Sequence, residues 1–482
     1  MSQAGAPPTA SELDSDVLVA MALAGEALID SGFDVNDVQA DVHMMGRAYG
    51  VPEAEIIVLP TAVLVSARAG GQLRTGVVSS GRQRLRLHQT EDLVDVVRGV
   101  QTGVVDPRQT HERIAAIRDE APPFPPGLQL VGQVLTAAGL AVILGASWFG
   151  LVFSAGLGGL AGALLLVAKR VAPRFEVLVN VATSFTVALT VFLLARTGVP
   201  LDVIPCLIAP LVTLLPGALL TTAVIELVTG QMISGAGRLA AGAAQLVLLG
   251  LGILAAAALV GVPAIEVADA PRPLGPAGPW IAVAVFGLGI VMNQCARPTS
   301  LGWILLVLYV AYGAQVLGGL AFGGVLSAFV GAAAMTPAAA LVAKQRTGPP
   351  MIVSFTPAFW LLVPGALGLV GVAALLHGDD SGMSIVTSTV ETLVAIALGV
   401  LVGRALSRFV PDRPPSPAGP RPPSRGYRRG DRVSQAASAL AFSWSNSACV
   451  IVPESSNDFA EAIWSAAPAP FEAVSEPATD RM

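Results

Sequence analysis

Charged side chains are scarce in this sequence, at 13% of 482 residues, whereas a typical soluble domain has about 25%. The scarcity is local: residues 1–127 hold 27 charged side chains, 10 basic and 17 acidic, and residues 128–403 hold only 17 in more than twice the length. That block consists of apolar runs of roughly 17–25 residues, the length that an α-helix needs to cross a bilayer. The pattern excludes an ordinary soluble protein and predicts an α-helical polytopic membrane protein.

Residues that commonly carry catalytic or metal chemistry are also rare. The three cysteines lie far apart without metal-type spacing, and two of them, Cys206 and Cys295, lie in apolar runs as packing residues do. Three of the four histidines lie in the hydrophilic N-terminal part without ligand spacing. The sequence contains no Walker motif and no G-x-S-x-G motif, which argues against ATP-driven transport and a standard serine hydrolase. We therefore expect no enzyme activity, metal, cofactor or nucleic-acid partner.

The N-terminal part has the pattern of a small soluble α/β domain over residues 11–121. Helices are predicted over "LDSDVLVAMALAGEALIDSG", which Gly32 ends, and over "VNDVQADVHMMGRAYG", which Gly50 ends. The segments "AEIIVLPTAVLVSA" and "LRTGVVSS" predict strands around a Gly70-Gly71 turn. Two amphipathic helices near 90–102 and 108–120 follow, and the linker "APPFPPG" leads to the apolar block.

The apolar block predicts ten membrane spans, near residues 130–149, 151–168, 177–195, 203–225, 239–261, 280–296, 301–317, 319–343, 351–376 and 385–403. With the soluble domain in the cytoplasm, nine basic residues flank the inner ends of the spans and only two, Arg196 and Arg272, flank the outer ends. The nine are Lys169, Arg170, Arg174, Arg238, Arg297, Lys344, Arg346, Arg404 and Arg408. This asymmetry follows the positive-inside rule and places both termini in the cytoplasm.

One phrase occurs twice in the apolar block. "RTGVPLDVIPCLIAPLVTLLPGAL" (196–219) and "RTGPPMIVSFTPAFWLLVPGAL" (346–367) both open with Arg-Thr-Gly-x-Pro and close with Pro-Gly-Ala-Leu. They precede and enter spans four and nine, so spans 1–5 and 6–10 are predicted repeats. Because five is an odd number, the second repeat runs inverted, which is a common plan of secondary transporters.

The predicted domains follow from these patterns. They are a cytoplasmic soluble α/β domain and linker (1–127), a first five-helix membrane repeat (128–262), an external loop (263–279), a second five-helix repeat (280–405) and a basic, Pro-rich, disordered cytoplasmic tail (406–482).

The Pro-Gly pairs predict where the chain binds its substrate. Pro216 and Pro364 lack an N–H group and interrupt the helical hydrogen bonds. Backbone freed at membrane depth must be buried in protein or line a wet cavity, so spans four and nine are predicted to be broken helices beside a site. Free helix ends there would hold the carboxylate and the ammonium group of a zwitterion, although a mere packing kink remains the alternative.

The stretch "PGALLTTAVIELVTGQMISGAGR" (216–238) resembles the signature of the threonine/serine exporter family. That signature has Pro-Gly, an acidic residue followed by Leu, Gly, then Ser-Gly and Arg; these are here Pro216-Gly217, Glu226-Leu227, Gly230, Ser234-Gly235 and Arg238. Many relatives have Asp at the position of Glu226. The stretches "AGEALIDSGFDVNDVQ", "VLPTAVLVS" and "GVVDPRQTHERIAAIRDEAPPFP" are similar to the family's leading domain, and the resemblance covers roughly residues 15–405.

The resemblance implies a ten-span inner-membrane exporter of L-threonine and L-serine that is driven by the proton gradient. Some relatives with separate half-chains are linked to dicarboxylate export, so a small dicarboxylate such as succinate is the alternative substrate. The second half departs from the signature, since "ALGLVGVAALLHGDD" follows Pro364-Gly365. A membrane-anchored enzyme or sensor acting through the soluble domain is a further alternative, but an anchor needs no inverted repeat. Substrate, coupling stoichiometry and oligomeric state stay open.

Candidate site residues are chosen from the predicted breaks and from ionisable groups in the spans. Such groups are costly in a membrane and usually functional, so Glu391 and Glu226 are the predicted proton-coupling residues. Glu391 aligns with Gln245 in the repeat, and Glu226 is expected either to pair with Arg238 as an inner gate or to form an exposed surface pair with it. The predicted substrate pathway comprises Pro210, Thr213, Pro216, Gly217, Thr221, Thr222, Asn180, Pro357, Pro364 and Gly365.

Overall fold

The computed structural model describes residues 10–69, 72–80, 84–171, 175–199, 201–261, 274–362, 368–371 and 381–407. Three regions that the sequence analysis singled out lie outside the described residues in whole or in large part. They are the Pro364-Gly365 pair, most of the predicted external loop and almost all of the predicted tail.

The N-terminal domain consists of four helices around a small antiparallel sheet. Its elements are α1 (Ala10–Asp30), α2 (Val35–Ala48), β1 (Glu55–Leu59), β2 (Ala62–Ala69), β3 (Gln72–Ser79), α3 (Leu87–Gln101) and α4 (Pro107–Arg118). The strand order is β1-β2-β3. The first predicted strand segment forms two strands, β1 and β2, because Pro60 and Thr61 make a turn and Leu59 then pairs with Ala62.

Glycines and side-chain caps fix the ends of these helices. Gly32 and Gly50 adopt φ values of +92° and +81° after α1 and α2, a conformation that costs residues with a Cβ atom. The Asp34 side chain accepts a hydrogen bond from the Asp37 N–H and thereby caps the N-terminus of α2. The turn between α1 and α2 is therefore well defined, and it is the part of the domain that reaches the membrane helices.

The rest of the described chain is a bundle of apolar helices. Its first half contains α5 (Pro126–Ile143), α6 (Trp148–Val171), α7 (Glu176–Ala195), α8 (Val203–Leu211), α9 (Gly217–Val228) and α10 (Met232–Val260). Its second half contains α11 (Gly278–Asn293), α12 (Leu301–Phe322), α13 (Gly324–Ala343), α14 (Met351–Leu361) and α15 (Ser381–Ser407).

Seven helices in the described part of the chain are long and apolar enough to cross a membrane, and the bent pair α8–α9 makes eight if it is one span. Two shorter apolar helices, α11 and α14, lie within predicted spans six and nine. The chain is therefore a multi-pass membrane protein. Each of the ten predicted spans overlaps one of these helices or the bent pair. That the chain crosses the membrane ten times stays a prediction.

Small residues bring the first helices of the two halves together. A Cβ atom at Gly132 of α5 would lie 2.6 Å from the Asn293 backbone nitrogen, and one at Gly139 would lie 2.7 Å from that of Phe286. Such close approach is typical of helix contacts in membranes, where van der Waals packing provides much of the association energy. Because later residues of α5 meet earlier residues of α11, the two helices run antiparallel.

Several helix contacts within the first half have an equivalent within the second half. Helix α7 packs on α10 in the first half, and α13 packs on α15 in the second; α6 contacts α8, as α12 contacts α14. The close contacts include Gly252 of α10 against Ser184 and Gly399 of α15 against Phe329. These glycines follow Gln245 and Glu391, which the predicted repeat aligns, by seven and eight residues.

Candidate functional site

The helix predicted to be broken at Pro216 is broken. Helix α8 continues into a short 3₁₀ helix at Val212–Leu214, the chain is extended at Leu215, and α9 starts at Gly217. The two parts are bent by 65° relative to each other. Pro216 explains the break, since it has no N–H group to donate to the preceding turn.

Two glutamine side chains bind the backbone at this break. Gln245 of α10 donates from Nε2 to the Leu214 carbonyl at 2.6 Å. Gln133 of α5, which is buried, donates from Nε2 to the Pro210 carbonyl and to Thr213 Oγ1, both at 3.3 Å. In a continuous helix the Leu214 carbonyl would accept from residue 218, so Gln245 supplies the hydrogen bond that the break removes.

Two helix ends meet at the break: the C-terminal end of α8 with its 3₁₀ extension, and the N-terminal end of α9. The first helical hydrogen bond of α9 runs from the Leu220 N–H to the Pro216 carbonyl, so the N–H groups of Gly217, Ala218 and Leu219 precede it. The N-terminus of a helix attracts negative charge, and the C-terminus, here that of α8 and its 3₁₀ extension, attracts positive charge. Such an arrangement can bind a zwitterion.

Of the remaining predicted pathway residues, some lie near the break, some lie on other helices and two lie outside the described residues. Thr213 and Thr222 are half-buried, and the Thr221 hydroxyl is buried with no hydrogen-bond partner among the described residues. Pro357 is buried inside α14, a helix that contacts α9. Asn180 is half-buried in α7 and takes no part in the contacts at the break. Pro364 and Gly365 lie outside the described residues.

Glu226 and Arg238 form an ion pair at the end of the bundle that faces the soluble domain. Arg238 Nε lies 3.1 Å from Glu226 Oε1, and the Glu226 side chain is fully buried. The other carboxylate oxygen, Oε2, is buried without a hydrogen-bond partner in the part of the chain that the structure describes. Of the two arrangements considered from the sequence, the structure shows a buried pair and not an exposed one.

Two glycines of the family signature make this ion pair possible. Gly230 has a φ of +90° in the turn between α9 and α10. A Cβ atom at Gly235 would lie 2.7 Å from the Leu227 side chain and 2.8 Å from the Ala223 carbonyl, so only glycine allows α10 to pack this closely on α9. The close packing places Arg238 of α10 beside Glu226 of α9.

The turn between α1 and α2 covers this ion pair. We call residues 33–37 (Phe33 to Asp37) the docking loop. The Val35 N–H donates to Glu226 Oε1 at 3.1 Å, and Arg238 Nη2 donates to the Phe33 carbonyl at 3.4 Å. Asn36 Nδ2 donates to Thr229 Oγ1 at 2.8 Å, while Gln231 Nε2 donates to Asn36 Oδ1 at 3.0 Å.

The docking loop also binds the end of α15. Arg404 Nη2 lies 2.6 Å from Asp34 Oδ2 and 2.9 Å from Asp37 Oδ2. The Asp34 side chain is 5% exposed, whereas those of Arg404 and Asp37 are 35% and 46% exposed. The loop therefore contacts α9 and α10 of the first half and α15 of the second half.

A second contact joins the start of α3 to the turn between α11 and α12. The Ser300 hydroxyl donates to Glu91 Oε1 at 2.9 Å, and Arg297 Nη2 lies 2.5 Å from Asp92 Oδ1. The backbone N–H of His88 donates to the Cys295 carbonyl at 3.2 Å. Burial of the Glu91 carboxyl raises its pKa to about 7, although Ser300 and Arg297 oppose this shift.

Glu391, which the sequence predicts as a proton-coupling residue, lies on the outer face of α15. Glu391 is exposed on α15, on the same helix face as the exposed Val394 and Leu398. The buried stripe of this helix runs instead through neighbours such as Thr392 and Ile396. Because 3.6 residues make one turn, the residues three and seven positions after Glu391 share its side of the helix, and all three are exposed.

Sequence reasoning missed Gln133, Gln245, Asp34 and Arg404 as site residues. A single amide in an apolar run is a usable signal, and Gln133 and Gln245 both carry it. No sequence pattern connects Asp34 with Arg404, which lie 370 residues apart. Within the described residues, no group of three or more His, Cys, Asp or Glu side chains could hold a metal ion.

Comparison with known proteins identifies the family. The family model described as a threonine/serine exporter matches residues 20–260, half of the chain. This chain belongs to the threonine/serine exporter family. A probable threonine/serine exporter of Mycobacterium tuberculosis is 24% identical over 401 residues, which cover 79% of this chain and 74% of that protein. No solved structure matches the chain. The resemblance drawn from the sequence is thus confirmed.

Proposed function

We propose that this protein exports L-threonine and L-serine from the cytoplasm and that the proton gradient drives the export. Its family membership supports the substrate class. The structural observation that supports a transport site is the break between α8 and α9, where Gln133 and Gln245 bind the backbone carbonyl groups. Broken helices near the membrane midplane are the usual substrate sites of secondary transporters.

Substrate recognition follows from the two free helix ends. The first N–H groups of α9, from Gly217 to Leu219, bind the carboxylate of the amino acid. Carbonyl groups at the end of the 3₁₀ helix bind its ammonium group. The hydroxyls of Thr213, Thr221 and Thr222 lie within two turns of the break and supply hydrogen bonds for the substrate hydroxyl.

Alternating access follows from the inverted repeat. The repeated phrase, the predicted odd number of spans in each half and the matching helix contacts within each half support this arrangement. In such transporters one half rocks against the other around a fixed site. Glu226 lies near the far end of α9, which runs from Gly217 to Val228, so the Glu226–Arg238 pair closes the route between the cytoplasm and the break.

The experiment that tests export is counterflow in proteoliposomes with labelled threonine, serine and succinate. We expect uptake of threonine and serine against the corresponding unlabelled amino acid and no uptake of succinate. A variant with Ala-Ala at Pro216-Gly217 restores the missing N–H group, makes the helix continuous and abolishes counterflow while still inserting into the membrane. Counterflow of succinate alone would instead identify a dicarboxylate exporter, and normal counterflow by the Ala-Ala variant would show that the break only serves packing.

The coupling proton is assigned by comparing Glu226→Gln with Glu391→Gln. Gradient-driven export requires the carrier to bind and release a proton, whereas exchange of labelled for unlabelled threonine does not. The variant that loses gradient-driven export but keeps exchange identifies the proton-binding carboxyl. Glu226 is the buried one of the two, so we assign the role to it and treat the exposed Glu391 as the matched comparison.

A further inference from the structure

We propose that the docking loop of the soluble domain is a moving part of the cytoplasmic gate, and that it must leave the membrane helices in every export cycle. This inference rests on the proposed export function. It assigns Asp34 and Asp37 as positioning residues, which act through Arg404 and the Glu226–Arg238 pair and do not touch the substrate.

The first argument is that the loop connects helices from both halves. Val35 and Phe33 bind Glu226 and Arg238, on α9 and α10 of the first half. Asp34 and Asp37 bind Arg404, at the end of α15 in the second half. While these contacts persist, the ends of α10 and α15 cannot separate. If the two halves move against each other during transport, the loop has to release at least one of them. Because the loop covers the Glu226–Arg238 pair of the gate, that pair opens only when the loop leaves α9 and α10.

The second argument is the chemistry of the contact. Within the described residues, every hydrogen bond or ion pair between the loop and the membrane helices involves a polar or charged side chain of the bundle, namely Glu226, Thr229, Gln231, Arg238 or Arg404. Water replaces such contacts when they open, unlike those of a dry apolar core. Polar interfaces between domains of one chain are those in which relative motion is the normal expectation.

The third argument is electrostatic. Glu226 is fully buried and Asp34 is 5% exposed in the docked arrangement. The attraction within buried ion pairs offsets a desolvation cost of similar size, so opening the contact, which hydrates all the charges, changes the free energy little. A contact of this kind is specific when closed, and opening it requires little free energy. A gate that opens in every transport cycle needs both properties.

A reversible cross-link tests the proposal. Cysteines replace Asn36 and Thr229, whose side chains are 2.8 Å apart, in a protein with Cys449→Ser, and a short bis-methanethiosulfonate reagent joins them. We expect threonine export to fall about tenfold or more after cross-linking and to recover when a reductant removes the link, because a trapped loop cannot open the gate. A fully cross-linked protein that exports at the rate of the reduced protein would overturn the proposal.

The matched control is a cross-link that stays within the soluble domain. Ser66 and Thr75 face each other on β2 and β3, with hydroxyl oxygens 2.8 Å apart. The Ser66→Cys/Thr75→Cys protein receives the same reagent and keeps its export rate. Equal loss of export in this control would attribute the effect to the reagent or to a stiffened domain and would overturn the proposal.

A second measurement does not depend on the cysteine pair. The Asn36 side chain is half-buried against Thr229 and Gln231 of the bundle, so the single variant Asn36→Cys reports on loop opening through its reaction with a membrane-impermeant maleimide. We expect faster labelling when threonine and a pH gradient are both present than in either alone. Labelling that is equally slow in all conditions would show a static contact. Wild-type counterflow tests the export function separately: its absence would refute export itself, whereas unaffected export by the cross-linked protein refutes only the moving loop.

Discussion

Arg238 Nε lies 3.1 Å from Glu226 Oε1, and the Val35 N–H from the soluble domain reaches the same carboxylate oxygen at 3.1 Å. One fully buried carboxylate thus connects two membrane helices with the soluble domain. The ion pair is local in sequence, twelve residues apart, but its burial depends on a loop that is almost 200 residues away.

Removing one member of this pair should cost more stability than removing both. Arg238→Met leaves Glu226 buried without its cation, and breaking a buried pair in this way costs about 3–5 kcal/mol. The double variant Glu226→Gln/Arg238→Met removes both charges of the pair. We expect the double variant to unfold at a higher temperature than Arg238→Met in detergent. A double variant that unfolds at or below the temperature of the single one would show that the charge of Glu226 is not the source of the cost.

Gly235→Ala should abolish export, while Gly237→Ala should not. A Cβ atom at Gly235 meets the Leu227 side chain and the Ala223 carbonyl below 3 Å, so α10 must move away from α9 and carry Arg238 with it. Gly237, two residues further on the same helix, has nothing within 4 Å of an added Cβ and is the matched control. Counterflow and membrane insertion of both variants are measured together. Equal activity would mean that close packing of α9 and α10 is not needed.

Gln245→Leu should weaken both stability and export. The variant leaves the Leu214 carbonyl without its donor, and an unsatisfied buried polar group costs about 1–3 kcal/mol. The same substitution at Gln315, in the apolar helix α12, serves as control, because this side chain makes no hydrogen bond among the described residues. We expect a lower unfolding temperature and slower counterflow for Gln245→Leu only. Indistinguishable variants would show that the break does not depend on this amide.

The contact between α3 and the α11–α12 turn should weaken as pH rises. Burial raises the pKa of Glu91 from 4.5 to about 7, so between these values the folded protein holds a proton that the unfolded chain has lost. The folded state then binds more protons, and its stability falls as pH increases through this range. Glu91→Gln removes this loss and keeps an oxygen that accepts from Ser300.

The measurement is the unfolding temperature of wild type and Glu91→Gln from about pH 5 to about pH 8. The pKa of Asp37 is raised to about 6 by desolvation of its half-exposed carboxyl and by the neighbouring Asp34. Asp37 adds a similar pH dependence to both proteins, so its effect cancels in the comparison. We expect the variant to gain stability relative to wild type as pH rises. Parallel curves would mean that Glu91 ionises in the folded protein as it does in the unfolded chain.

Much of the local structure follows from short patterns. Gly32 and Gly50 end the first two helices, Pro216 breaks the fourth span, and Glu226 pairs with Arg238 across a single turn. Each of these depends on neighbours within a few turns, for which composition and spacing are sufficient. Glu391 shows the limit of this reasoning: hydropathy places it inside an apolar helix, but only the packing of α15 on α13 decides which face of that helix is buried.

The sequence by itself determined that the chain is a multi-pass membrane protein of the threonine/serine exporter family, because the loss of charge over 128–403 and the signature at 216–238 are both properties of the linear chain. Only the tertiary structure decided which groups satisfy the broken helix and where the soluble domain sits. Gln133 and Gln245 reach the break from two other helices, and Asp34 meets Arg404 across 370 residues. Hydrogen bonds and ion pairs act over a few ångströms of space, so their partners are set by how the helices pack and not by distance along the chain.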